Sequence, residues 1–411
     1  MSILLRLLSS GFAAGCVLWL LGACATTPQG DSATPVAAGP QVILISIDGF
    51  RADYLRRGVS PNLDRLAEEG ASGPMRPSFP SVTFPNHYTL VTGLHPDHHG
   101  IVGNRFIDAG LGRFTMAGKE TGWWDQAEPI WITAERAGLR TATMFWPGSE
   151  TEIGGLRPTY WRSFDQTVSS VDRVGQVLSW QGLPAAERPR LTTLYFDIVD
   201  TAGHHYGPEA SETRDAVAEI DAAIGRLMEG LQRRDLIDDT VLIIVSDHGM
   251  AATHPDRVIR LEDLVPADAI DVIYSGAAVF LNPLPGREAE VLEALARRHA
   301  HGECWERASI PARFVLGSNP RVPAIVCAAD PGWLMVQPGW TVDRPGGAHG
   351  YDNQAPEMQA LFVAHGPGVV TGARLRNLDS VDVQPLIGRL LGIPVPPGDG
   401  DPDDTLPVTI P

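Results

Sequence analysis

Val42-Ile43-Leu44-Ile45-Ser46-Ile47 is an almost unbroken apolar, branched run that stops at Asp48-Gly49. Continuity of that kind, without polar alternation, predicts a strand buried on both faces. Runs of the same character at 141–145, 191–198, 240–245 and 360–363 predict four more. Helical periodicity falls between them: 62–69 behind a Ser60-Pro61 start, then 86–91, 212–234 and 381–391. Alternation of the two patterns predicts an α/β domain with a mostly parallel sheet and helices on both faces, over residues 41–395. Between about 251 and 346 the alternation breaks and Pro and Gly accumulate, which predicts a smaller lobe inserted between two core strands. The Pro- and Asp-rich tail at 396–411 is expected on the surface.

The chain begins with a different pattern. Residues 4–21 are apolar apart from Arg6 and two serines, and end in Leu21-Gly22-Ala23-Cys24. That is the layout of a secretory signal closing on a bacterial lipobox, with Cys24 lipidated and becoming the mature N-terminus. A single membrane-spanning anchor is the alternative, although the run is marginal in length for one. Residues 25–40, polar and Pro-containing, read as a flexible tether. Alanine rather than aspartate after Cys24 points, by analogy, to the outer membrane with the domain facing the periplasm. Of the four cysteines, Cys16 leaves with the signal and Cys24 carries lipid. Cys304 and Cys327 are then expected to form one disulfide, or else remain two separate buried thiols.

Composition narrows the chemistry. The 411 residues are 44% hydrophobic and 20% charged, with a formal net charge of −17. So acidic a chain has no basic footprint for coating a nucleic-acid backbone. Lys119 is the single lysine, and Ala117-Gly118-Lys119-Glu120-Thr121 is no phosphate loop. An anionic substrate therefore needs positive charge from elsewhere.

Candidate ligands for such a charge lie at the ends of predicted strands or in Gly-flanked turns. Asp48, Asp200 and Asp247-His248 follow three separate runs, and ligands of open α/β sheets bind beyond those carboxyl ends. With His204 and with His349 in Gly347-Ala348-His349-Gly350, the set holds three carboxylates and three imidazoles. Such a mixture without thiolates suits zinc or a related divalent ion, and six ligands suit two ions better than one. Taken singly, each of these residues could be an ordinary turn or surface residue. Thr83, just ahead of a Pro85-led helix start, either offers a hydroxyl to the positive helix end or merely caps the helix. His95, His98 and His99 look superficially like a metal cluster but read as loop and helix-start residues.

The order and wording of these segments resemble the nucleotide pyrophosphatase/phosphodiesterase family of the alkaline phosphatase superfamily. The matching stretches are Asp48-Gly49-Phe50-Arg51, Pro80 to Tyr88, Gly100-Ile101-Val102-Gly103-Asn104, Trp146-Pro147-Gly148-Ser149, Asp200 to Pro208, Ser246 to Met250 and His349 to Asn353. The resemblance implies an alkaline phosphatase-like fold and two zinc ions per chain. Asp48, Asp247, His248 and the Thr83 oxygen would hold one, and Asp200, His204 and His349 the other. It also implies that Thr83 attacks phosphorus to form a phospho-threonine ester, and that Asn104 donates to a non-bridging phosphate oxygen. Phe84 is the expected nucleobase platform, with Tyr160 opposite and Tyr195 also facing the site. The expected substrates are nucleotide phosphodiesters and pyrophosphates, with release of nucleoside 5′-monophosphates. Phospholipid- or choline-directed diesters and phosphomonoesters are the alternatives. A sulfatase is disfavoured, because Thr83-Phe84-Pro85-Asn86 lacks the cysteine and arginine of that chemistry. The oligomeric state is not legible.

Overall fold

Eight strands make the central sheet: β1 (Gln41–Ile47), β2 (Ala71–Arg76), β3 (Thr141–Met144), β4 (Tyr160–Trp161), β5 (Leu191–Phe196), β6 (Thr240–Val245), β7 (Ala360–His365) and β8 (Leu378–Asp379). Their order is β8-β2-β7-β6-β1-β5-β3-β4. Only β7 runs against its neighbours, so the sheet is mostly parallel. This is a computed structural model, and it describes residues 39–409; the expected signal segment, Cys24 and nearly all of the expected tether lie outside the described residues.

Both faces of the sheet are covered, which is why β1 reads as a continuous apolar run. The helices that matter are α1 (Pro61–Glu69), α2 (Thr83–Thr92), α3 (Ser170–Gln181), α4 (Ile198–Tyr206), α5 (Ser211–Gln232) and α6 (Val383–Leu391). Val42 and Leu44 join a core with Leu90 of α2 and Leu386 of α6. Ile43, Ile45 and Ile47 join another with Leu63 of α1, Val177 of α3 and Ile224 of α5. Each such side chain, fully buried, stabilises the fold by about 1.5–3 kcal/mol.

Three features differ from the sequence reading. Strand β2 carries Gly73 and Pro74, which read as turn residues. Ser72 exchanges backbone bonds with Ala373 and Leu375, so Pro74, two residues on, turns its nitrogen to that same near-edge side. Strand β5 stops at Phe196, and the last two residues of the apolar run 191–198 turn into α4 instead. The tail expected at the surface is partly anchored: Thr405 and Val408 are buried, and Val370 N–H donates to the Val408 carbonyl.

Between Ala251–Thr253 and Gly346–Ala348, which pair with each other, the chain builds a second sheet. Its five strands run in the order Ile270–Tyr274, Ala278–Pro283, Ile325–Ala329, Gly302–Glu306, Arg298–His299. Cys304 and Cys327 sit directly opposite each other on two of these strands and are disulfide-bonded.

Candidate active site

Strand ends and one helix bring the acidic and imidazole groups together. Asp48 follows β1, and Asp247 and His248 follow the neighbouring β6. The two ends are tied where Phe50 N–H donates to Ser246 Oγ and Ser246 Oγ–H donates to the His248 carbonyl. Asp200 and His204 lie one helical turn apart on α4, so they share a face. Gly49, at φ +69°, allows the close approach of β1 to α4: a Cβ there would meet the Asp200 Cα at 2.9 Å. His349 returns beside His248 because Gly346–Ala348 pairs back onto Ala251–Thr253.

The resulting cluster is tight. His248 Nε2 lies 3.4 Å from Asp48 Oδ1 and 3.0 Å from Asp247 Oδ2. His204 Nε2 lies 3.4 Å from Asp200 Oδ1, His349 Nε2 lies 3.6 Å from the same oxygen, and the two Nε2 atoms are 3.0 Å apart. The His248 and His349 rings stack at 3.5 Å, so the two groups share an edge.

Each imidazole is oriented from behind. Nδ1–H of His204 donates to the Gly347 carbonyl, that of His248 to Gly249 and that of His349 to Ser81, each at 2.9 Å. Nε2 is thereby left as the lone-pair atom turned into the cluster. Burial, then the nearby Asp247 and Asp200 carboxylates, pushes the Asp48 carboxyl well up. Asp200 is also raised, chiefly by burial. Against the same burial, His248 and His87 hold Asp247 well below the usual range. Burial, then His248 and His204, drives His349 well down.

Three buried carboxylate oxygens, Asp48 Oδ1, Asp200 Oδ1 and Asp247 Oδ2, have no hydrogen-bond donor. Such orphans are costly in a protein interior. They are the same three oxygens that face the imidazole Nε2 atoms. Two overlapping ligand groups meet the spacing for an ion: Asp48, Asp247 and His248, and Asp200, His248 and His349. The residues present fit divalent cations.

Thr83 is the first residue of α2, not its cap; Val82 occupies the capping position and supplies no side-chain bond. The capping alternative is therefore set aside. Thr83 Oγ1 faces the cluster, 3.4 Å from His248 Nε2, at the positive end of the helix. Asn86, fully buried, fixes the entry loop: its Oδ1 accepts from Ser78 N–H, and its Nδ2 faces the carbonyls of Ser78, Pro80 and Val82. Asn104 Oδ1 accepts the Phe84 N–H at 2.9 Å, which identifies the opposite end of the carboxamide as the donor.

Next to Thr83, at Phe84, opens a narrow aromatic cleft of about 90 Å³, bounded by Phe84, Trp124, Phe145, Trp146, Phe164 and Tyr195. Phe84 rests against Phe114 and Trp124, both at 6.1 Å between ring centroids.

The sequence profile described as "Type I phosphodiesterase / nucleotide pyrophosphatase" matches residues 42–352. The chain belongs to this family. A Schizosaccharomyces pombe protein, described as an uncharacterized pyrophosphatase/phosphodiesterase, is 38% identical over 394 residues, covering 89% of this chain and 80% of its own. The Xenopus laevis bis(5′-adenosyl)-triphosphatase is 35% identical over 380 residues, covering 92% and 83%. Murine ectonucleotide pyrophosphatase/phosphodiesterase 5, solved as an inactive threonine-to-alanine variant with AMP, superposes with a TM-score of 0.86 at 32% identity. That superposition covers 90% of this chain and all of the murine one.

Within this phosphodiesterase-family site, one expectation is corrected. Tyr160 does not stand opposite Phe84. Its strand lies at the edge of the sheet, its ring stacks on Trp180 and its hydroxyl donates to the Glu187 carbonyl. Phe164, not read from the sequence, lines the cleft in its place, edge-on to Tyr195. Tyr195 does line the cleft, but its hydroxyl donates to Asp48 Oδ2 at 2.6 Å. His87 was missed too. It lies beneath Asp247, with Nδ1 3.3 Å from Oδ2, and one turn after Thr83 on α2, a spacing that places it on the same face. His95, His98 and His99 pair with Ser78, Asp399 and Thr89, and none joins a ligand group.

Proposed function

We propose that this chain is a two-zinc nucleotide pyrophosphatase/phosphodiesterase acting through a covalent ester on Thr83. The observation that carries the reading is the set of three orphaned carboxylate oxygens facing three Nε2 atoms beside the Thr83 hydroxyl. Asp48, Asp247, His248 and Thr83 Oγ1 would hold one zinc ion, and Asp200, His204 and His349 the other. Zinc at those positions would supply the positive charge that offsets charge developing on the phosphate oxygens and favours loss of the hydroxyl proton.

Thr83 Oγ1 forms a bond to phosphorus while the bond to the leaving oxygen breaks, and that oxygen keeps the electron pair. Water then adds its hydroxyl to phosphorus, Thr83 regains its proton, and a nucleoside 5′-monophosphate departs. Asn104, anchored by its oxygen to Phe84 N–H, turns Nδ2 to a non-bridging oxygen. A neutral donor suits a diester, which carries one charge fewer than a monoester. Phe84 supplies a π-face to the base, and stacking tolerates every base. The murine relative, inactive without a threonine and holding AMP, supports both the nucleophile and the product.

A nitrophenyl ester of a nucleoside 5′-monophosphate, compared with nitrophenyl phosphate, tests the reading. Turnover of the diester should exceed that of the monoester by about tenfold or more and should vanish on chelation. Preference for the monoester, or chelator-resistant turnover, would overturn it.

We also propose that the domain works outside the cytoplasm, tethered by a lipidated Cys24 to the outer membrane. The Cys304–Cys327 disulfide suits an oxidising compartment. An acylated N-terminal peptide beginning at Cys24 is the expected product; an unprocessed leader would contradict the proposal.

A further inference from the structure

Beside the aromatic cleft lies a second cavity: it shares Met116 with the cleft and is lined by Asn104, whose Oδ1 accepts the N–H of the cleft residue Phe84. The second cavity, of about 550 Å³, is bounded by Asn104, Arg105, Tyr274, Ser275, Gln337 and Trp340. Its far wall belongs to the region of the second sheet: Tyr274 ends the strand Ile270–Tyr274, and Gln337 and Trp340 follow the strand Leu334–Val336. The two cavities differ in character. One is walled by aromatic rings, the other mainly by polar groups around a single guanidinium.

The polar cavity carries features that packing does not explain. Arg105 is exposed, and its guanidinium makes no ion pair or hydrogen bond among the described residues, in a chain of net charge −17. Trp340 leaves 49% of its surface open to solvent, although Arg260 fixes its backbone by donating to the Trp340 carbonyl at 3.1 Å. Ser275 is buried, yet its hydroxyl has no partner.

We infer that this polar cavity is the leaving-group subsite and that it is built for a phosphorylated nucleoside, with Arg105 on the departing phosphate and Trp340 on its base. The inference rests on the phosphodiesterase reading above. In-line displacement at phosphorus separates the attacking oxygen from the leaving one, so the two substituents of the substrate need two places. When a pyrophosphate bond breaks, charge collects on the departing phosphate, and a guanidinium binds such oxygens through paired, charge-assisted hydrogen bonds. Indole is a strong stacking surface for a base. The specificity that follows is for dinucleoside polyphosphates over esters whose leaving group lacks phosphate.

Three substrates sharing one retained nucleoside test this: its nitrophenyl 5′-phosphodiester, its triphosphate and the corresponding dinucleoside triphosphate. In Arg105→Gln the ratio of kcat/KM for the dinucleoside triphosphate to that for the nitrophenyl ester should fall about tenfold or more, and Arg105→Lys should restore part of it. In Trp340→Ala the ratio of dinucleoside triphosphate to nucleoside triphosphate should fall about fivefold or more, because only the former presents a second base. Ratios unmoved in both variants, or equal loss on every substrate, would overturn the subsite. Failure of the unaltered protein on the nitrophenyl nucleotide would instead overturn the phosphodiesterase reading, and the subsite with it.

Discussion

Tyr195 donates its hydroxyl proton to Asp48 Oδ2 at 2.6 Å, and this leaves Asp48 Oδ1 as the oxygen turned to His248 Nε2, 3.4 Å away. The tyrosine thus decides which carboxylate oxygen faces the imidazoles of the candidate metal site, while its ring walls the cleft next door. Outer partners of this kind typically govern metal affinity by tens of fold. Tyr195→Phe keeps the ring and removes the hydroxyl. Zinc affinity, measured by chelator competition, should fall about tenfold or more. Affinity equal to that of the unaltered protein would remove Tyr195 from this role.

Thr83 touches the cluster through one oxygen, whereas six other side chains supply the remaining donors. Thr83→Ala should therefore lower kcat on a nitrophenyl nucleotide by about a thousandfold or more while zinc content stays near two per chain. Loss of both ions would mark Thr83 as a ligand first; retained turnover would exclude it as the nucleophile.

Phe84→Leu preserves apolar bulk against Trp124 but removes the π-face. Stacking is worth about 1–3 kcal/mol per base, so kcat/KM for a nucleotide diester should fall about fivefold to a hundredfold. A diester without a base, such as bis-nitrophenyl phosphate, should be little affected. Parallel loss on both would place Phe84 in the scaffold alone.

Much of this candidate site was legible because several of its acidic and imidazole residues sit where strands end. The apolar runs before Asp48 and Asp247 placed both at strand ends; that those strands are neighbours, and that Asp200 and His204 share one face of α4, only the structure shows. His349 was legible only from its Gly-flanked motif and the resemblance, since a whole lobe separates it from His248. Tyr160 failed for a different reason. A strand of two residues at the sheet edge carries no periodicity, and nothing local distinguished its ring from that of Phe164 four positions on. Strand β2 was concealed by Pro74, whose nitrogen is tolerated on a near-edge side that no local pattern reveals.

Far from the site, burial, and then Asp379 and Asp404, raise Asp382 from 3.8 to about 7, against the Asp379 N–H bond that lowers it. A carboxyl raised on folding binds its proton more tightly when native. Its contribution is therefore best at acidic pH and is lost as pH rises from about 4 through about 7. Asp404→Asn removes one repelling charge, so the Tm should rise at pH 8 and change little at pH 5. An equal shift at both values would show that the charge of Asp404 does not act through Asp382.

The disulfide closes a loop across a sequence separation of 23 residues. Replacing both cysteines with alanine should cost about 3 kcal/mol in an unfolding titration. A cost near zero would mean that the strand pairing around Val326 and Trp305 carries this sheet alone.

The most direct measurement is anomalous scattering from zinc-loaded crystals at the zinc absorption edge. Two peaks are predicted, one among Asp48, Asp247, His248 and Thr83 and one among Asp200, His204 and His349. A single peak, or peaks away from these side chains, would contradict a two-cation site beside the threonine hydroxyl.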